Sequence, residues 1–324
     1  MQRQGMKNRK QPLVSICIPT YNRAWLLRNT LDSIVAQPEF GNKTVEVVIS
    51  DNASTDETET VAKAYAGKYD NVKYFRNAVN VRDENFPLAL SRARGVLRKL
   101  NNDTVLLKPD ALGKLCALAE KYREERPCIF LSNGNHGGVE ERILNFRDFA
   151  VLEGFRITWL ASFTIWDDAC ENIHQDLDGC QLSLWQVRKF YENASKKDAV
   201  VVWDTVFGEG QSVPNKDISY GLYHVFYENY MSILNPYVLS GALRSEDVEK
   251  IEKDLLYHFF ADWIARWEIN RSQYQYSETE NLKACVTRQY EKKSYWQDYE
   301  KYYKKRLLIA RIKKAAFKIL RRKK

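Results

Sequence analysis

The sequence predicts an α/β fold in which a mostly parallel sheet is flanked by helices and followed by a helical C-terminal extension. Over the first 130 residues, short apolar segments rich in β-branched residues alternate with segments of helical spacing. Such alternation is typical of parallel sheets with crossover helices. After residue 245, apolar residues recur every four positions, which predicts one buried helix face, at Ile251, Leu255, Phe259 and Trp263.

Each element of the alternating region follows from its local pattern. Runs of apolar and β-branched residues predict five buried strands, at 13–18, 45–50, 72–75, 104–107 and 128–132. Helical spacing, capping residues or an N-terminal proline predict four helices, at about 24–36, 54–68 and 86–100 and from Pro109 onward. The second of these helices depends on Ser54 and Glu57, which form a capping-box pattern.

The composition excludes several classes of protein. The 324 residues are 44% hydrophobic and 28% charged, with 14 Gly and 8 Pro, which excludes a collagen-like, low-complexity or wholly disordered chain. No apolar run approaches the ~20 residues of a membrane span, and the apolar stretch after the basic first ten residues is too short for a signal peptide. The six cysteines are dispersed and form no CxxC pair. We therefore expect a reduced, cytoplasmic protein.

The positive charge is concentrated in residues 304–324. This segment carries eleven Lys or Arg and no acid, and removing these charges from the net charge of +8 leaves −3 for the other 303 residues. A slightly acidic body argues against a nucleic-acid partner. Apolar residues of the segment follow helical spacing, at Leu308, Ile312, Ala315, Ala316 and Ile319. The pattern indicates a basic amphipathic helix, which would lie on an anionic membrane surface or dock on the protein or a neighbouring subunit.

Polar residues lie where the first two predicted strands end. Pro19-Thr-Tyr-Asn22 ends the first strand, and Asp51-Asn52 follows the second. Ligands of parallel sheets bind beyond the carboxyl ends of the strands, so these residues are candidates for a binding site. The chain has no GxGxxG after the first strand and no GxxxxGK[ST], so the dinucleotide and P-loop phosphate cradles are missing. With four scattered His and no HExxH, a zinc site is not expected either.

Four segments, in this order, resemble family 2 glycosyltransferases of the GT-A type, which act on bacterial surface polysaccharides or lipopolysaccharides. Val14–Asn22 ends in the family's Pro-Thr-Tyr-Asn, and Val48–Asp56 contains its Asp-x-x-Ser-x-Asp signature. Asn80–Gly95 resembles a stretch with two Asn and Ala-x-Gly, and Leu100–Thr104 falls where the family has a metal-binding Asp-x-Asp. The resemblance covers residues 12–132 and implies a GT-A, Rossmann-like sheet.

The resemblance implies an enzyme with a nucleotide-sugar donor, expected to be a UDP-sugar. It places Asp51 against the base, and Thr20 and Tyr21 in the nucleotide pocket. Further donor-binding residues are expected beside them: Pro19, Asn22, Asn52, Arg94, Asn101 and Asn102. The charge of a leaving diphosphate must be neutralised, and Mn²⁺ or Mg²⁺ does this through one or two carboxylates plus phosphate oxygens. Asp103 is the expected metal ligand.

The metal motif departs from the family pattern. This chain has Asn101-Asn102-Asp103 where the family has Asp-x-Asp, and a neutral Asn offers a carbonyl oxygen without charge. The metal requirement could therefore be relaxed, with Lys108, Arg94 or Arg98 sharing the neutralising role. Asp56 lies in the first turn of a predicted helix, so we expect it to be structural.

An inverting transferase also needs a carboxylate that accepts the proton of the attacking acceptor hydroxyl, which the resemblance puts roughly 75–90 residues after the metal motif. Asp178 lies 75 residues after Asp103 and precedes Gly179, so it is the first candidate. Asp176 and Asp168 are the second and third candidates.

Five regions are predicted: a basic N-terminal tail at 1–11, a nucleotide-sugar-binding half at 12–132, an acceptor-binding half at 133–240, a helical extension at 241–303 and the basic amphipathic helix at 304–324. The expected enzyme is peripheral on the inner face of the cell membrane. Its acceptor would be a glycan or a lipid-linked glycan, and it could form a homo-oligomer.

Two alternatives stay open at this point. A degenerate GT-A domain could keep the nucleotide pocket without turnover and serve as a scaffold in a polysaccharide assembly complex, since Asn occupies both positions before Asp103. A nucleotidyltransferase is a weaker alternative, because Pro19-Thr-Tyr-Asn-Arg23 is not the Gly-rich, basic signature usual near the first strand of that class.

Overall fold

The chain forms two compact units. The computed structural model describes residues 11–211, 216–218, 220–270, 274–276 and 281–321. Unit 1 contains residues 11–146 and 157–211, and unit 2 contains residues 147–156 and the described residues from 216 onward. Most of the basic tail predicted at 1–11 lies outside the described residues.

Strands and helices alternate over most of the first 211 residues. The described strands are β1 (Val14–Thr20), β2 (Val45–Asp51), β3 (Val72–Arg76), β4 (Leu97–Leu100), β5 (Val105–Leu107), β6 (Cys128–Leu131), β7 (Glu141–Leu144), β8 (Thr164–Trp166), β9 (Ala199–Val202) and β10 (Phe207–Gly210). The described helices are α1 (Ala24–Val35), α2 (Pro38–Gly41), α3 (Thr58–Lys68), α4 (Asn85–Ser91), α5 (Ala111–Lys121), α6 (Phe146–Glu153) and α7 (Trp185–Ala194).

The main sheet of unit 1 has the strand order β3-β2-β1-β4-β8. The first four strands are parallel, and β8 is antiparallel beside β4. Every residue of β2 is buried, as expected for a strand covered on both faces. Thr20 is paired with Asp51, and Asp51 with Arg76, so three strands end in one line. We call this end the carboxyl end of the sheet and the opposite end its amino end.

Two smaller sheets complete unit 1. In one, β9 lies between β6, which is parallel to it, and β7, which is antiparallel. In the other, β5 pairs antiparallel with β10. Residues 133–146 and 157–211 of the predicted acceptor-binding half at 133–240 therefore belong to the same unit as the first three strands, whereas its other described residues belong to unit 2. The predicted α/β fold with a mostly parallel sheet is confirmed.

The helix predicted at 86–100 is wrong over its second half. α4 ends at Ser91, and Leu97–Leu100 is β4, which pairs with β1. Gly95 lies directly against β1, because its N–H donates to Ser15 Oγ at 2.7 Å. The backbone can approach β1 this closely because residue 95 has no side chain. From this contact the chain continues as the strand β4. The strand predicted at 104–107 forms as β5 but lies outside the main sheet.

The capping box predicted at Ser54 and Glu57 does not form. α3 begins at Thr58, and Asp56 caps it through Oδ1, which accepts the N–H of Thr58 at 2.9 Å. The other oxygen of Asp56 accepts the N–H of Ala24 at 3.1 Å, so one carboxylate caps both α1 and α3. Burial acts to raise the pKa of Asp56, but hydrogen bonds from the Thr58 side chain and from these N–H groups lower it below its usual value. These contacts agree with the structural role expected for Asp56.

Unit 2 is mainly helical, as predicted for the C-terminal region. Its further helices are α8 (Tyr230–Leu239), α9 (Ser245–Asp254), α10 (Ala261–Asn270), α11 (Leu282–Tyr290) and α12 (Trp296–Arg321). Two short strands, β11 (Lys216–Ile218) and β12 (Tyr274–Tyr276), pair in parallel. Among the described residues, no helix is both long enough and apolar enough to cross a membrane.

The predicted apolar repeat of unit 2 is displaced by one residue. Ile251 and Leu255 are buried as expected, but the buried row continues at Phe260 and Ile264, each one residue later than predicted. The segment Leu255–Phe260 between α9 and α10 is a π-helical turn. A π-helical turn closes its hydrogen bonds one residue later than an α-helix does, and it therefore shifts the apolar spacing by one position.

Gly95→Ala is expected to destabilise the protein by on the order of 3 kcal/mol. The added Cβ would lie 2.6 Å from Ser15 N and 2.8 Å from the carbonyl carbon of Val14. Gly67→Ala in α3 is the matched control, because nothing lies within 4 Å of its added Cβ. The Gly67→Ala variant should be more stable than the wild type by about 0.5–1 kcal/mol. Chemical denaturation measures both changes, and an equal effect of the two substitutions would contradict the close packing of Gly95.

Candidate functional site

Two buried aspartates lie at the carboxyl end of the sheet. Asp51 ends β2 and is 0% exposed, and Asp103 lies three residues after β4 and is 1% exposed. Thr20, the last residue of β1, contacts both neighbouring strand ends. Its carbonyl accepts the N–H of Asn52 at 2.9 Å, and its hydroxyl donates to Asp103 Oδ2 at 2.8 Å. The structure thus brings together Thr20 and Asp51, which were selected at the ends of two predicted strands, and Asp103, which the family resemblance selected.

An arginine that the sequence analysis did not single out is paired with Asp103. Arg23 Nη1 donates to Asp103 Oδ1 at 2.9 Å, so each oxygen of the carboxylate has a partner. Burial raises the pKa of Asp103, although the charge of Arg23 and the hydrogen bonds from Arg23 and Thr20 act in the opposite direction. The Arg23 side chain is 43% exposed. Its guanidinium therefore lies between the buried carboxylate and solvent.

Asp51 is also paired within the protein. Its Oδ1 accepts the N–H of Ser54 at 2.9 Å, and its Oδ2 accepts the Tyr74 hydroxyl at 2.8 Å and Arg76 Nη1 at 3.0 Å. Burial and the hydrogen bond to Asp51 raise the pKa of Tyr74, which keeps this hydroxyl a donor. A nucleotide base that contacts Asp51, as predicted, would share these oxygens with their present partners.

Asn52 orders the loop that follows β3. Its Oδ1 accepts Asn77 Nδ2 at 3.0 Å and the N–H of Val81 at 2.9 Å, and its Nδ2 donates to Asn80 Oδ1 at 2.7 Å. The same loop carries Asp83, whose pKa is raised to about 6 by burial. Asn52 is 5% exposed, so its side chain is committed to this loop.

The residues of the predicted metal motif have different surroundings. Asn101 Oδ1 accepts Nζ of the fully buried Lys99 at 2.9 Å, and burial lowers the pKa of Lys99 to about 7. Asn102 Oδ1 is buried and has no hydrogen-bond partner among the described residues. The part of the chain that the structure describes has no group of three or more His, Cys, Asp or Glu placed to hold a metal ion. The triplet therefore offers the carboxylate of Asp103 and the amide oxygen of Asn102.

The other predicted donor residues of the first loop differ in exposure. Pro19 lies in β1 and is partly buried, whereas Tyr21 is 41% exposed. Asn22 has a φ of 51°, a left-handed conformation that Asn adopts more readily than most residues. Its N–H donates to Ser54 Oγ at 2.9 Å, and its Oδ1 accepts the N–H of Thr55 at 2.7 Å. Tyr21 is thus the aromatic side chain of this loop that a ligand can reach.

The structure does not bring Arg94 to this site. Arg94 precedes β4 and lies at the amino end of the sheet, where it lines a cavity of about 450 Å³. Arg98 donates to the carbonyls of Leu90 and Gly95, both of which precede β4. The expectation that Arg94 or Arg98 neutralises a diphosphate therefore does not fit their positions. Arg23 is the arginine that contacts the predicted metal ligand.

Asp168 lies away from the site as well. β8 runs antiparallel to β4, so its last residue, Trp166, is paired with Leu97 at the start of β4. Asp168 follows in a short 3₁₀ turn and forms an ion pair with Arg126 at 3.1 Å. A position at the amino end of the sheet does not fit a base that acts at the carboxyl end.

Asp176 and Asp178 belong to a loop that contacts α4 and the turn at 82–84. The carboxylate of Asp176 forms ion pairs with Arg188 and, at 2.8 Å, with Lys189 of α7. Asp178 is exposed, and only its backbone carbonyl makes a hydrogen bond within the described residues. Of the three predicted candidates, Asp178 is the one with an unengaged carboxylate on this side of the sheet.

Comparison with known proteins finds a family match for part of the chain. Residues 15–165 match the sequence model of the family described as Glycosyl transferase family 2. Abequosyltransferase RfbV of Salmonella typhimurium is 36% identical over 130 residues, which are 40% of this chain and 38% of that protein. Validoxylamine A glucosyltransferase of Streptomyces hygroscopicus is 44% identical over 63 residues, which are 19% and 14% of the two chains. The chain thus spans less than half the length of these curated relatives.

Solved structures with low sequence identity share the fold. The crystal structure of residues 1–349 of TarS from S. aureus covers 80% of this chain and 73% of its own, with a TM-score of 0.51 and 18% identity. The mannosyltransferase PcManGT from Pyrobaculum calidifontis, solved with GDP-Man and Mn²⁺, covers 94% of this chain and 87% of its own, with a TM-score of 0.51 and 17% identity. The motifs and the sheet agree with this match of residues 15–165 to Glycosyl transferase family 2.

Proposed function

We propose that the protein transfers a sugar from a nucleotide-sugar donor, a UDP-sugar, to a hydroxyl group of a polysaccharide, lipopolysaccharide or lipid-linked acceptor. The observation that carries this proposal is the match of residues 15–165 to glycosyltransferase family 2. The relatives carry the names of transferases for different sugars, so the proposal specifies the nucleotide and not the sugar. The position of the candidate residues supports the proposal, because ligands of parallel sheets bind beyond the carboxyl ends of the strands.

The donor would lie across the carboxyl end of the main sheet. Asp51 and Tyr21 would contact the nucleotide, with Asn52 holding the neighbouring loop. Two partly exposed arginines face this end, because the buried carboxylates of Asp103 and Asp51 hold Arg23 and Arg76 there. Arginine suits this role, since its planar guanidinium binds phosphate oxygens in pairs.

Mg²⁺ or Mn²⁺ bound at this site would neutralise the charge that develops on the leaving diphosphate. Asp103 and the free Oδ1 of Asn102 would hold it. These residues fit such a cation, which takes one or two carboxylates from the protein and its other ligands from phosphates and water. Asn101 is less suited to this role, because its side-chain oxygen already accepts a hydrogen bond from Lys99.

In the proposed transfer, the acceptor oxygen forms a bond to the anomeric carbon while the bond from that carbon to the diphosphate breaks. The electron pair of the broken bond leaves with the nucleoside diphosphate, and the acceptor proton passes to a carboxylate of the protein. We assign the role of accepting this proton to the carboxylate of Asp178. Attack from the side opposite the leaving group inverts the configuration at the anomeric carbon.

Calorimetric titration of the full chain with UDP, GDP, TDP and CMP, with and without Mn²⁺, tests the donor site. We expect UDP to bind, and we expect Asp103→Asn to weaken its binding at least tenfold in Mn²⁺ because the carboxylate ligand is lost. Failure of all four nucleotides to bind would overturn the proposal. Binding without release of UDP from any UDP-sugar would instead favour the scaffold alternative.

Asp178→Asn is expected to lower kcat at least 100-fold, which is the lower end of the contribution of a general base. Its nucleotide affinity should stay at the wild-type value, because the carboxylate serves the acceptor only. Asp168→Asn is the matched control, since Asp168 is also an exposed aspartate but lies at the amino end of the sheet. Release of UDP from the UDP-sugar that binds gives both rates. Equal rates for the two variants would rule out Asp178 as the base.

We also propose that α12 holds the protein on an anionic membrane surface. Tyr299 and Tyr303 are buried in the core of unit 2, and Leu308 and Ile312 each lie nine residues further along the helix. Nine residues correspond to about two and a half helical turns, so the latter pair lies on the opposite side of α12. Leu308 and Ile312 are each 59% exposed. This exposure supports a lipid contact over docking against the protein's own surface.

The charges beside this apolar stripe favour an anionic partner. Lys304 and Lys305 are exposed, whereas Arg306 and Arg311 are paired with acids of α10, Asp262 and Glu268. The ion pairs attach the buried side of the helix to α10. The two exposed lysines can contact lipid phosphates, at roughly 1 kcal/mol each before losses to salt screening.

Sedimentation with lipid vesicles tests the membrane contact. The full chain should bind vesicles that contain phosphatidylglycerol and should not bind pure phosphatidylcholine. Combining Leu308→Ser, Ile309→Ser and Ile312→Ser should weaken binding at least tenfold, because less apolar area enters the interface. Leu239→Ser is the control, since it removes a leucine that is 79% exposed at the end of α8. Undiminished binding of the triple variant would contradict the proposal.

A further inference from the structure

We propose that Arg23 occupies the cation position at Asp103 and thereby makes divalent-metal binding conditional on a bound nucleoside diphosphate. The inference rests on the proposed donor site and concerns its regulation. In this proposal Arg23 moves between two anions, the carboxylate of Asp103 and the diphosphate of the donor. It is a positioning residue for the metal ligand.

The contacts of Asp103 carry the first step. Its carboxylate is the one acidic group of the Asn101-Asn102-Asp103 triplet, and both of its oxygens already accept hydrogen bonds, from Thr20 and Arg23. A divalent cation that approaches Oδ1 meets the Arg23 guanidinium 2.9 Å from that oxygen. Two positive groups beside the same oxygen repel each other, and the low dielectric around a buried carboxylate strengthens the repulsion.

The exposure of the two partners decides which of them can leave. Thr20 belongs to a central strand and is 3% exposed, so its hydroxyl stays in place. The Arg23 side chain is 43% exposed, while the Arg23 backbone N–H is fixed by Thr58 Oγ1 at 3.1 Å. The guanidinium can therefore swing to a ligand at the carboxyl end of the sheet while the loop keeps its conformation.

A second observation points to a cation at the same place. Asn102 Oδ1 is buried and has no hydrogen-bond partner among the described residues, although burying such an oxygen without a partner is unfavourable. A hard cation held by Asp103 would satisfy this oxygen. The nearby Lys99 Nζ donates instead to Asn101 Oδ1 and to the Leu100 carbonyl.

These contacts link the two ligands thermodynamically. A diphosphate that draws Arg23 away leaves a buried carboxylate without its counter-ion, and a divalent cation then restores the charge balance. Each ligand therefore raises the affinity of the other by the same factor. In the absence of nucleotide, Arg23 keeps the affinity for free metal low.

Mn²⁺ titration of the full chain, followed by electron paramagnetic resonance, tests this competition with the metal alone. Arg23→Gln is expected to bind free Mn²⁺ at least tenfold more tightly than the wild type, because the competing charge is gone. Arg28→Gln is the matched control, since it removes a second exposed arginine, which lies in α1 and forms no ion pair with Asp103. Arg23→Lys keeps the charge and should stay near the wild-type affinity. Adding Asp103→Asn to Arg23→Gln should abolish the gain.

The coupling between the two ligands gives a second test. The wild type is sufficient for this test if the variant does not fold. UDP should raise the Mn²⁺ affinity of the wild type at least tenfold and that of Arg23→Gln by a smaller factor. A folded Arg23→Gln, verified by circular dichroism, that binds free Mn²⁺ no better than the wild type would overturn the inference. If Arg23→Gln does not fold, independence of Mn²⁺ and UDP binding in the wild type overturns it. Failure of every variant to bind any nucleotide overturns the proposed donor site instead, and the measurement with free Mn²⁺ still decides the competition.

Discussion

The parallel pairing of β1 on both of its sides is the constraint on which the site depends. β1 is paired with β2 over seven residues and with β4 over four. In this register its last residue, Thr20, lies beside Asp51 and within hydrogen-bond distance of Asp103. A slip of one residue would reverse the faces of a strand that is buried on both, and it would separate Thr20 from these partners. The close approach of Gly95 to Ser15 allows β4 to take its place in this pairing.

Buried charge gives the carboxyl end of the sheet its chemical character. A carboxylate removed from water is unfavourable unless it is paired, and here each of two buried aspartates holds an arginine whose side chain stays partly exposed. The arginines are consequently held at the surface by acids that are themselves buried. An anion that approaches this end of the sheet therefore meets guanidinium groups there.

Local pattern predicted those parts of the fold in which local and tertiary preferences agree. β1 and β2 are short apolar runs because both of their faces are buried, and they were predictable for that reason. The stretch 86–100 was not, since α4 and β4 are both apolar at positions that follow helical spacing. The contact between Gly95 and Ser15, which are 80 residues apart in the chain, decides the outcome there. An apolar repeat that includes a π-helical turn is equally difficult to predict, because the composition does not indicate where the extra residue is inserted.

The site was predictable to the same degree. Polar residues at strand ends indicated Thr20 and Asp51, and the resemblance to the family's metal motif indicated Asp103. Arg23 could not, because an arginine in a loop has no periodic or compositional feature that indicates a buried partner 80 residues away. Arg94 was selected for its charge near a motif, but its side of the sheet follows from the direction of β4, which the sequence analysis had assigned to a helix.

The shared capping carboxylate has a consequence for ligand association. Asp56 accepts hydrogen bonds from the first turns of α1 and α3. Asn22, in the loop before α1, forms hydrogen bonds with Ser54 and Thr55 in the loop before α3. Fixing the backbone of a flexible residue costs about 1–2 kcal/mol of conformational entropy. Because these loops are already fixed in the folded chain, a ligand that binds there loses little affinity to their ordering. The remaining freedom belongs to exposed side chains, so recognition at this end of the sheet should proceed by side-chain rotation over a rigid backbone.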